Sequence, residues 1–138
     1  MLVRVGIAVA LFAIVAVIAL ILERRRRTNA PLQGQPVVPA QIDRADFPRP
    51  DAPWLVVVFT SANCESCEGL YEKVAPLESP DVAVVEAEYP GAKELHQRYA
   101  INAAPLTVVA DAQGVVCASV LGAFNASDVW AAVAELRQ

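Results

Sequence analysis

Histidine and cysteine are scarce in this sequence, which has one histidine and three cysteines among 138 residues. A structural zinc site needs four ligands, drawn mainly from these two residue types. Beside Cys64 and Cys67, the only spare ligands are His96 and Cys117, which stand in different predicted elements without paired spacing. The composition therefore argues against a metal site, and no motif indicates a flavin, a nucleotide or another cofactor.

Basic residues are scarce beyond the N-terminus. Residues 1–27 carry five arginines and one glutamate, a net charge of +4, so a chain with a net charge of −4 leaves −8 for the rest. Nucleic-acid binding depends on lysine and arginine side chains that neutralise phosphates. The acidic remainder of the chain is therefore poorly suited to a nucleic-acid partner.

Charged residues are absent from the mostly apolar stretch at 5–22. At about 1.5 Å per residue, a helix over this stretch is about 27 Å long, close to the hydrocarbon thickness of a bilayer. A cleaved signal peptide is the alternative, but it has its basic residues before the apolar run and a small-residue cleavage site after it. Here the arginines at 24–27 follow the run, so we predict an uncleaved single-pass transmembrane helix over residues 1–23.

The arginines at 24–27 also predict the topology. Basic residues beside a membrane helix favour the cytoplasmic side, and this cluster outweighs Arg4. We therefore expect a cell-membrane protein with its C-terminal domain in the cytoplasm, and an extracytoplasmic domain is the alternative. Membrane lipid would contact the N-terminal helix.

Residues 24–53 form a basic and then proline-rich segment. Its prolines disfavour a continuous helix and predict a semi-rigid linker, in which residues 37–38 and 41–42 indicate at most a short edge strand. The linker separates the membrane helix from a predicted domain at 54–138.

Residues 54–138 alternate between β-rich apolar runs and helical patterns, which predicts one α/β domain. The first elements alternate and a short glycine-containing turn follows, so we expect a mixed central β-sheet flanked by helices. The predicted order is a strand at 54–59, a helix at 64–75, a strand at 82–85, a helix at 93–99, a strand at 106–109, a strand at 115–120 and a final helix after Asn125, capped by that residue or by Ser127.

The Cys64-Glu65-Ser66-Cys67 motif stands where the first strand meets the first helix. Thiol–disulfide exchange needs one thiolate to attack and a second thiol to resolve the mixed disulfide. Cys64, at the predicted helix N-terminus, is placed to attack because the helix dipole favours its thiolate. Cys67, one turn further on, is the more shielded and is placed to resolve.

Together with the segment INAAPLT at 101–107, this motif resembles the thioredoxin superfamily over about residues 54–136. The resemblance implies a thioredoxin-like fold with a cis peptide before Pro105, opposite the dithiol. It also implies that the backbone of Ala104 pairs with a bound substrate strand, and that Asn63, beside the first cysteine, contacts substrate. A proline lowers the cost of a cis peptide and removes a competing N–H.

The sequence departs from the superfamily pattern at several positions. Asn63 replaces the usual tryptophan, and Glu65-Ser66 replaces the usual Gly-Pro. The buried aspartate of the family falls on Val58 and its lysine partner on Glu86. We expect Glu86 to replace the aspartate as proton acceptor for Cys67, as a buried carboxylate with a raised pKa; the alternative is that it points into solvent.

Four other side chains are expected to have structural roles only. Cys117 is expected to be a buried small hydrophobe, and His96 a surface residue of its helix. Trp54 and Trp130 are expected to pack in the core or at the edge of the domain.

These expectations predict a membrane-tethered thiol–disulfide oxidoreductase that acts on disulfides of protein substrates and receives electrons from an unidentified donor. Glu65 and Glu68 place negative charge beside the dithiol, which disfavours the Cys64 thiolate and predicts a reductant. The alternative is a redox-regulated or structural adaptor that uses the fold to bind a membrane partner without turnover.

Overall fold

The structure, a computed structural model, describes Gly6, residues 12–19, Ile21 and residues 36–138. The chain divides into two units, Met1–Pro31 and Leu32–Gln138. In the first unit, residues 12–19 are helical and exposed. Within the described part of the chain, no helix combines the length and the apolar character needed to cross a bilayer. Most of the predicted transmembrane helix and all of the arginines at 24–27 lie outside the described residues.

The second unit is built on a four-stranded mixed sheet with the strand order β2-β1-β3-β4. The strands are β1 (Trp54–Ser61), β2 (Val82–Tyr89), β3 (Leu106–Ala110) and β4 (Val116–Leu121). β1 is parallel to β2 and antiparallel to β3, and β3 is antiparallel to β4. This arrangement confirms the predicted mixed sheet and the hairpin between the last two strands.

Helices cover both faces of the sheet. The helices are α1 (Leu70–Val74), α2 (Lys93–Arg98) and α3 (Ala126–Leu136). Because successive side chains of a strand point to opposite faces, Val57 and Phe59 of β1 face the α2 side, and Val56 and Val58 face α1 and α3. A strand buried on both faces needs a continuous apolar run, which is what the sequence of β1 supplies.

The predicted helix at 64–75 is interrupted in the structure. A 3-10 turn (Glu65–Cys67) comes first, and α1 begins only at Leu70. Gly69 stands between them with φ of +70°, a left-handed conformation that glycine adopts at little cost. The final helix agrees better with its prediction, since Asn125 caps α3 in a capping box with Asp128.

Part of the predicted linker packs against the domain. The division at residues 24–53 stays a prediction for the N-terminal part of that range, which is not described. Ile42, Phe47 and Ala52 are buried in the core on the α2 side of the sheet. Gln41 pairs with Val115 in a single antiparallel bridge, and Arg44 donates to the carbonyl oxygen of Asp111. The folded unit therefore includes the residues from about 39 onward.

Two interpretations of single residues were wrong. His96 is buried, not on the surface, because its Nε2 lies 2.8 Å from the carbonyl oxygen of Ala87 and its ring packs edge-on against Phe59. Cys117 is exposed, not buried, because β4 is the outer strand and only alternate residues of it face the core.

The tryptophans lie at the edges of the domain. Trp54 is half-buried against the core on the α1 and α3 side. Trp130 is exposed over 42% of its surface, and its indole N–H donates to the carbonyl oxygen of Lys73.

Candidate active site

The two cysteines lie just beyond the end of β1, where the chain leaves the sheet. Cys64 and Cys67 form a disulfide with their Cα atoms 5.3 Å apart. Cys64 is half-buried, whereas Cys67 is only 6% exposed. Cys67 is therefore the more shielded of the two, as predicted, and the roles of attack for Cys64 and resolution for Cys67 stay predictions.

The loop before β3 lies against Cys64. The peptide bond between Ala104 and Pro105 is cis, as the resemblance implied. The carbonyl oxygen of Ala104 lies 3.8 Å from Sγ of Cys64, and Ala104 itself is exposed. Pro105 is buried, and its carbonyl oxygen accepts a hydrogen bond from the N–H of Gly122. The loop thus presents backbone beside the reactive sulfur while its proline is held in the fold.

An open groove of about 490 Å³ contains both cysteines. Asn63 lines this groove and is exposed, so its predicted place near the substrate remains open to test. The charged residues of the groove wall are all carboxylates, contributed by the dithiol turn, α1 and β2: Glu65, Glu68, Glu72, Glu86 and Glu88.

Glu86 lies in the groove, but its environment differs from the predicted one. The parallel register places it directly beside Val58, as the resemblance to the superfamily implied. Its Oε1 accepts a hydrogen bond of 2.8 Å from the hydroxyl of Thr60. The prediction assumed a buried carboxylate, and this carboxylate is exposed because β2 is an edge strand here. Its role as proton acceptor for Cys67 stays a prediction.

The turn that carries the dithiol offers little helix-dipole stabilisation to a thiolate. Cys64 precedes a 3-10 turn of three residues, and Gly69 separates this turn from the five-residue helix α1. A macrodipole needs several aligned peptide units in one continuous helix. The predicted continuous helix behind Cys64 was therefore wrong, while stabilisation of the Cys64 thiolate stays a prediction.

Two residues of the groove wall were missed by sequence reasoning. Glu72 follows Glu65 and Glu68 at the spacing i, i+3, i+7, which in a continuous helix would place all three on one side. Glu88 stands two residues after Glu86 and so points to the same face of β2. Both spacings were visible in the sequence, but only the register of β2 beside β1 brings the two sets of carboxylates together.

Metal binding is not indicated around the dithiol. Across residues 36–138 and the described N-terminal positions, no group of three or more His, Cys, Asp or Glu side chains is arranged to hold a metal ion.

Comparison with solved structures identifies the fold. The chain is 26% identical to thioredoxin f2 from Chlamydomonas reinhardtii, over 73% of this chain and 97% of that one, with a TM-score of 0.52. It is 19% identical to thioredoxin O2 from Arabidopsis thaliana in the oxidised state, over 70% and 90% of the two chains, with a TM-score of 0.55. A mutant thioredoxin from Halobacterium salinarum is 23% identical, over 60% and 74%, with a TM-score of 0.52.

No family model matches the chain, and no curated protein sequence matches it. The likeness to solved structures shows that the chain has a thioredoxin-like fold. This fold and the Cys64–Cys67 disulfide together support thiol–disulfide redox chemistry at a general level.

Proposed function

We propose that the protein is a membrane-tethered thiol–disulfide oxidoreductase that reduces disulfides in protein substrates. The observation that carries the proposal is the position of the Cys64–Cys67 pair, with Cys64 half-buried and Cys67 buried, beside the exposed residue Ala104. Such a pair meets both needs of exchange, an attacking thiolate and a nearby resolving thiol.

In the proposed reaction, the Cys64 thiolate attacks one sulfur of the substrate disulfide and expels the other as a thiolate. The thiol of Cys67 then loses its proton, and its sulfur attacks Cys64 in the mixed disulfide. The second substrate thiolate leaves, and the Cys64–Cys67 disulfide forms. Two electrons pass to the substrate, and an external thiol donor returns the pair to its reduced form.

The charges around the pair support reduction over oxidation. Strong oxidants of this chemistry have a reduced form stabilised by a favoured thiolate. Here the carboxylates of the groove wall oppose a negative charge on Cys64, and the short turn before Gly69 supplies little dipole to offset them. We therefore expect a low reduction potential, nearer to that of reductants than to that of strong oxidants.

The proposed substrate site consists of the exposed Ala104 backbone, Pro105 beneath it and Asn63 on the groove wall. An extended polypeptide can hydrogen-bond to backbone that a sheet or loop leaves exposed. Such binding would carry a substrate cysteine past Sγ of Cys64.

The membrane tether is supported by the apolar residues 5–22 and the arginines at 24–27. These arginines also favour a cytoplasmic domain. Cys117, the exposed free thiol of β4, supplies a reporter for this topology. In intact cells, a membrane-impermeant maleimide should leave Cys117 unlabelled until the membrane is permeabilised, and labelling of intact cells would place the domain outside.

Reduction of insulin tests the catalytic part of the proposal. The full-length chain in detergent, supplied with dithiothreitol, should accelerate insulin precipitation well above the rate with dithiothreitol alone. Cys64→Ser should remove the acceleration, and Cys117→Ser should keep it. If the wild-type chain matches Cys64→Ser, the protein is not a general disulfide reductase, and the adaptor role becomes the better account.

A further inference from the structure

The charged side chains that line the groove around the dithiol are all negative. Among its described lining residues the charged ones are Glu65, Glu68, Glu72, Glu86 and Glu88, and no lysine, arginine or histidine joins them. The carboxylates come from separate elements, since Glu65 belongs to the dithiol turn, Glu72 to α1, and Glu86 and Glu88 to β2. Carboxylates from several elements therefore line the same groove as the reactive pair.

Six lysine and arginine side chains lie in residues 39–138. Lys93, the first residue of α2, does not line the groove, and the other five are engaged elsewhere. Arg44 donates to backbone carbonyls, Arg49 pairs with Glu78, Arg98 pairs with Asp43 and Asp46, and Arg137 pairs with Asp81. Lys73 follows Glu72 in the sequence, yet its Nζ donates to the carbonyl oxygen of Phe124. Within the described residues, no lysine or arginine forms an ion pair with a carboxylate of the groove.

We infer that the dithiol is selective for disulfides set among basic residues of a polypeptide. The inference rests on the proposed function, because the dithiol defines the site and the carboxylates only set which substrate it accepts. Clefts lined by charges of one sign concentrate ligands of the opposite sign and raise their association rates. Like charges brought together across an interface are, by contrast, unfavourable.

A basic substrate also assists the chemical step. The carboxylates of the groove disfavour the Cys64 thiolate, which is the attacking species. A lysine or arginine carried by the substrate beside its disulfide places a positive charge near Sγ of Cys64 and offsets this effect. A basic substrate thus binds faster and also favours the Cys64 thiolate. An acidic substrate is disfavoured both in binding and in thiolate formation.

The test uses two synthetic disulfide-bridged peptides that differ only in the residues flanking the bridge, lysine in one and glutamate in the other. Each is mixed with the pre-reduced full-length chain in detergent, and the rate constant for peptide reduction is measured at low salt. We expect the lysine peptide to react at least about tenfold faster. At about 1 M salt, where the screening length is about 3 Å, the ratio should approach the ratio for dithiothreitol alone.

Charge reversal in the groove provides a second test with a matched control. Glu72→Lys and Glu88→Lys should each reduce the preference for the lysine peptide. Glu135→Lys makes the same change of net charge at an exposed position of α3. Glu135 lies near Arg137, which pairs with Asp81 just before β2, at the end of that strand opposite Glu86 and Glu88. This control should keep the preference of the wild-type chain.

Each outcome decides a separate point. Equal rates for both peptides, or a faster glutamate peptide, would overturn the charge selectivity and leave the proposed function standing. If neither peptide reacts faster than with Cys64→Ser, the proposed function fails and the inference fails with it. The salt dependence needs no variant, so it decides the question even if a charge reversal disturbs folding.

Discussion

Replacement of Gly114 by alanine should strongly destabilise the folded unit. Gly114 ends the turn between β3 and β4, with φ of +82°, and a Cβ there would lie 1.9 Å from the backbone oxygen of Ile42. The left-handed conformation alone costs an alanine about 1–2 kcal/mol. Relief of the contact requires the chain around Ile42 to move away from the hairpin.

That movement would break the hydrogen bonds that join this chain segment to the hairpin. The N–H of Ile42 donates to Gly114 over 2.8 Å, and the N–H of Val116 donates to Ala40 over 3.0 Å. Each such bond contributes about 1 kcal/mol net. Together with the conformational strain, the loss should be about 3–4 kcal/mol of unfolding free energy.

Gly122→Ala provides the matched control for this measurement. Gly122 has φ of +88°, and a Cβ there would meet no heavy atom of the described residues within 4 Å, so only the conformational strain of about 1–2 kcal/mol applies. Urea unfolding of the oxidised full-length chain in detergent, followed by circular dichroism, gives both values. Equal losses for the two variants would refute the account of residues 39–53 as part of the folded unit.

Three further predictions concern single side chains. Glu86→Gln should slow the resolution of the mixed disulfide by Cys67 near neutral pH in stopped-flow measurements, and an unchanged rate would exclude a proton-accepting role. Burial and the hydrogen bond to Asp46 raise the pKa of the Tyr99 phenol. The protonated phenol therefore stabilises the folded unit fully below about pH 10, and this stabilisation is lost as the pH rises through the pKa of Tyr99 in the folded state. The stability difference between the wild-type chain and Tyr99→Phe should therefore shrink above about pH 10 in urea titrations, and a constant difference would contradict this. Thr107→Val should leave the thermal midpoint unchanged or raise it, because the buried hydroxyl has no hydrogen-bond partner among the described residues; a clear fall would reveal a partner.

The sheet could be predicted from the sequence because its strands carry a strong local signal. β1 is apolar at nearly every position, which is the pattern of a strand buried on both faces. The exposure of Cys117 could not be predicted, because an outer strand with apolar neighbours has the same local sequence as an inner one. His96 shows the reverse case, since a polar side chain is buried once a backbone carbonyl satisfies its ring nitrogen.

The packing of residues 39–53 could not be predicted from the sequence, because this segment has an irregular backbone. Ile42 and Phe47 anchor this segment in the core, but they show neither helical nor strand spacing, and the prolines around them indicate a linker. Gly69 was similarly ambiguous, because the apolar spacing of α1 continues a helical pattern across it. Only tertiary structure gives Gly69 its left-handed conformation.

The residues of the candidate site that lie in short motifs could be predicted from the sequence. The residues that separate elements bring together could not. Cys64, Cys67 and Pro105 could be recognised from short motifs, and the structure places Cys64 within 3.8 Å of the loop that ends in Pro105. The acidic groove depends on the register of β2 beside β1, which fixes where Glu86 and Glu88 lie. The pairing of β1 with β2 joins two distant segments, and the spacing within either segment does not show that their carboxylates share one groove.

The most direct test of the proposed chemistry is to trap the mixed disulfide. In Cys67→Ser the resolving thiol is absent, so the full-length variant should accumulate a covalent adduct with a disulfide-containing polypeptide through Cys64, detected by mass spectrometry and released by dithiothreitol. The double variant Cys64→Ser/Cys67→Ser, which keeps the exposed Cys117, should form none. An adduct equally abundant in both variants, or no adduct in either, would contradict catalysis by the Cys64–Cys67 pair.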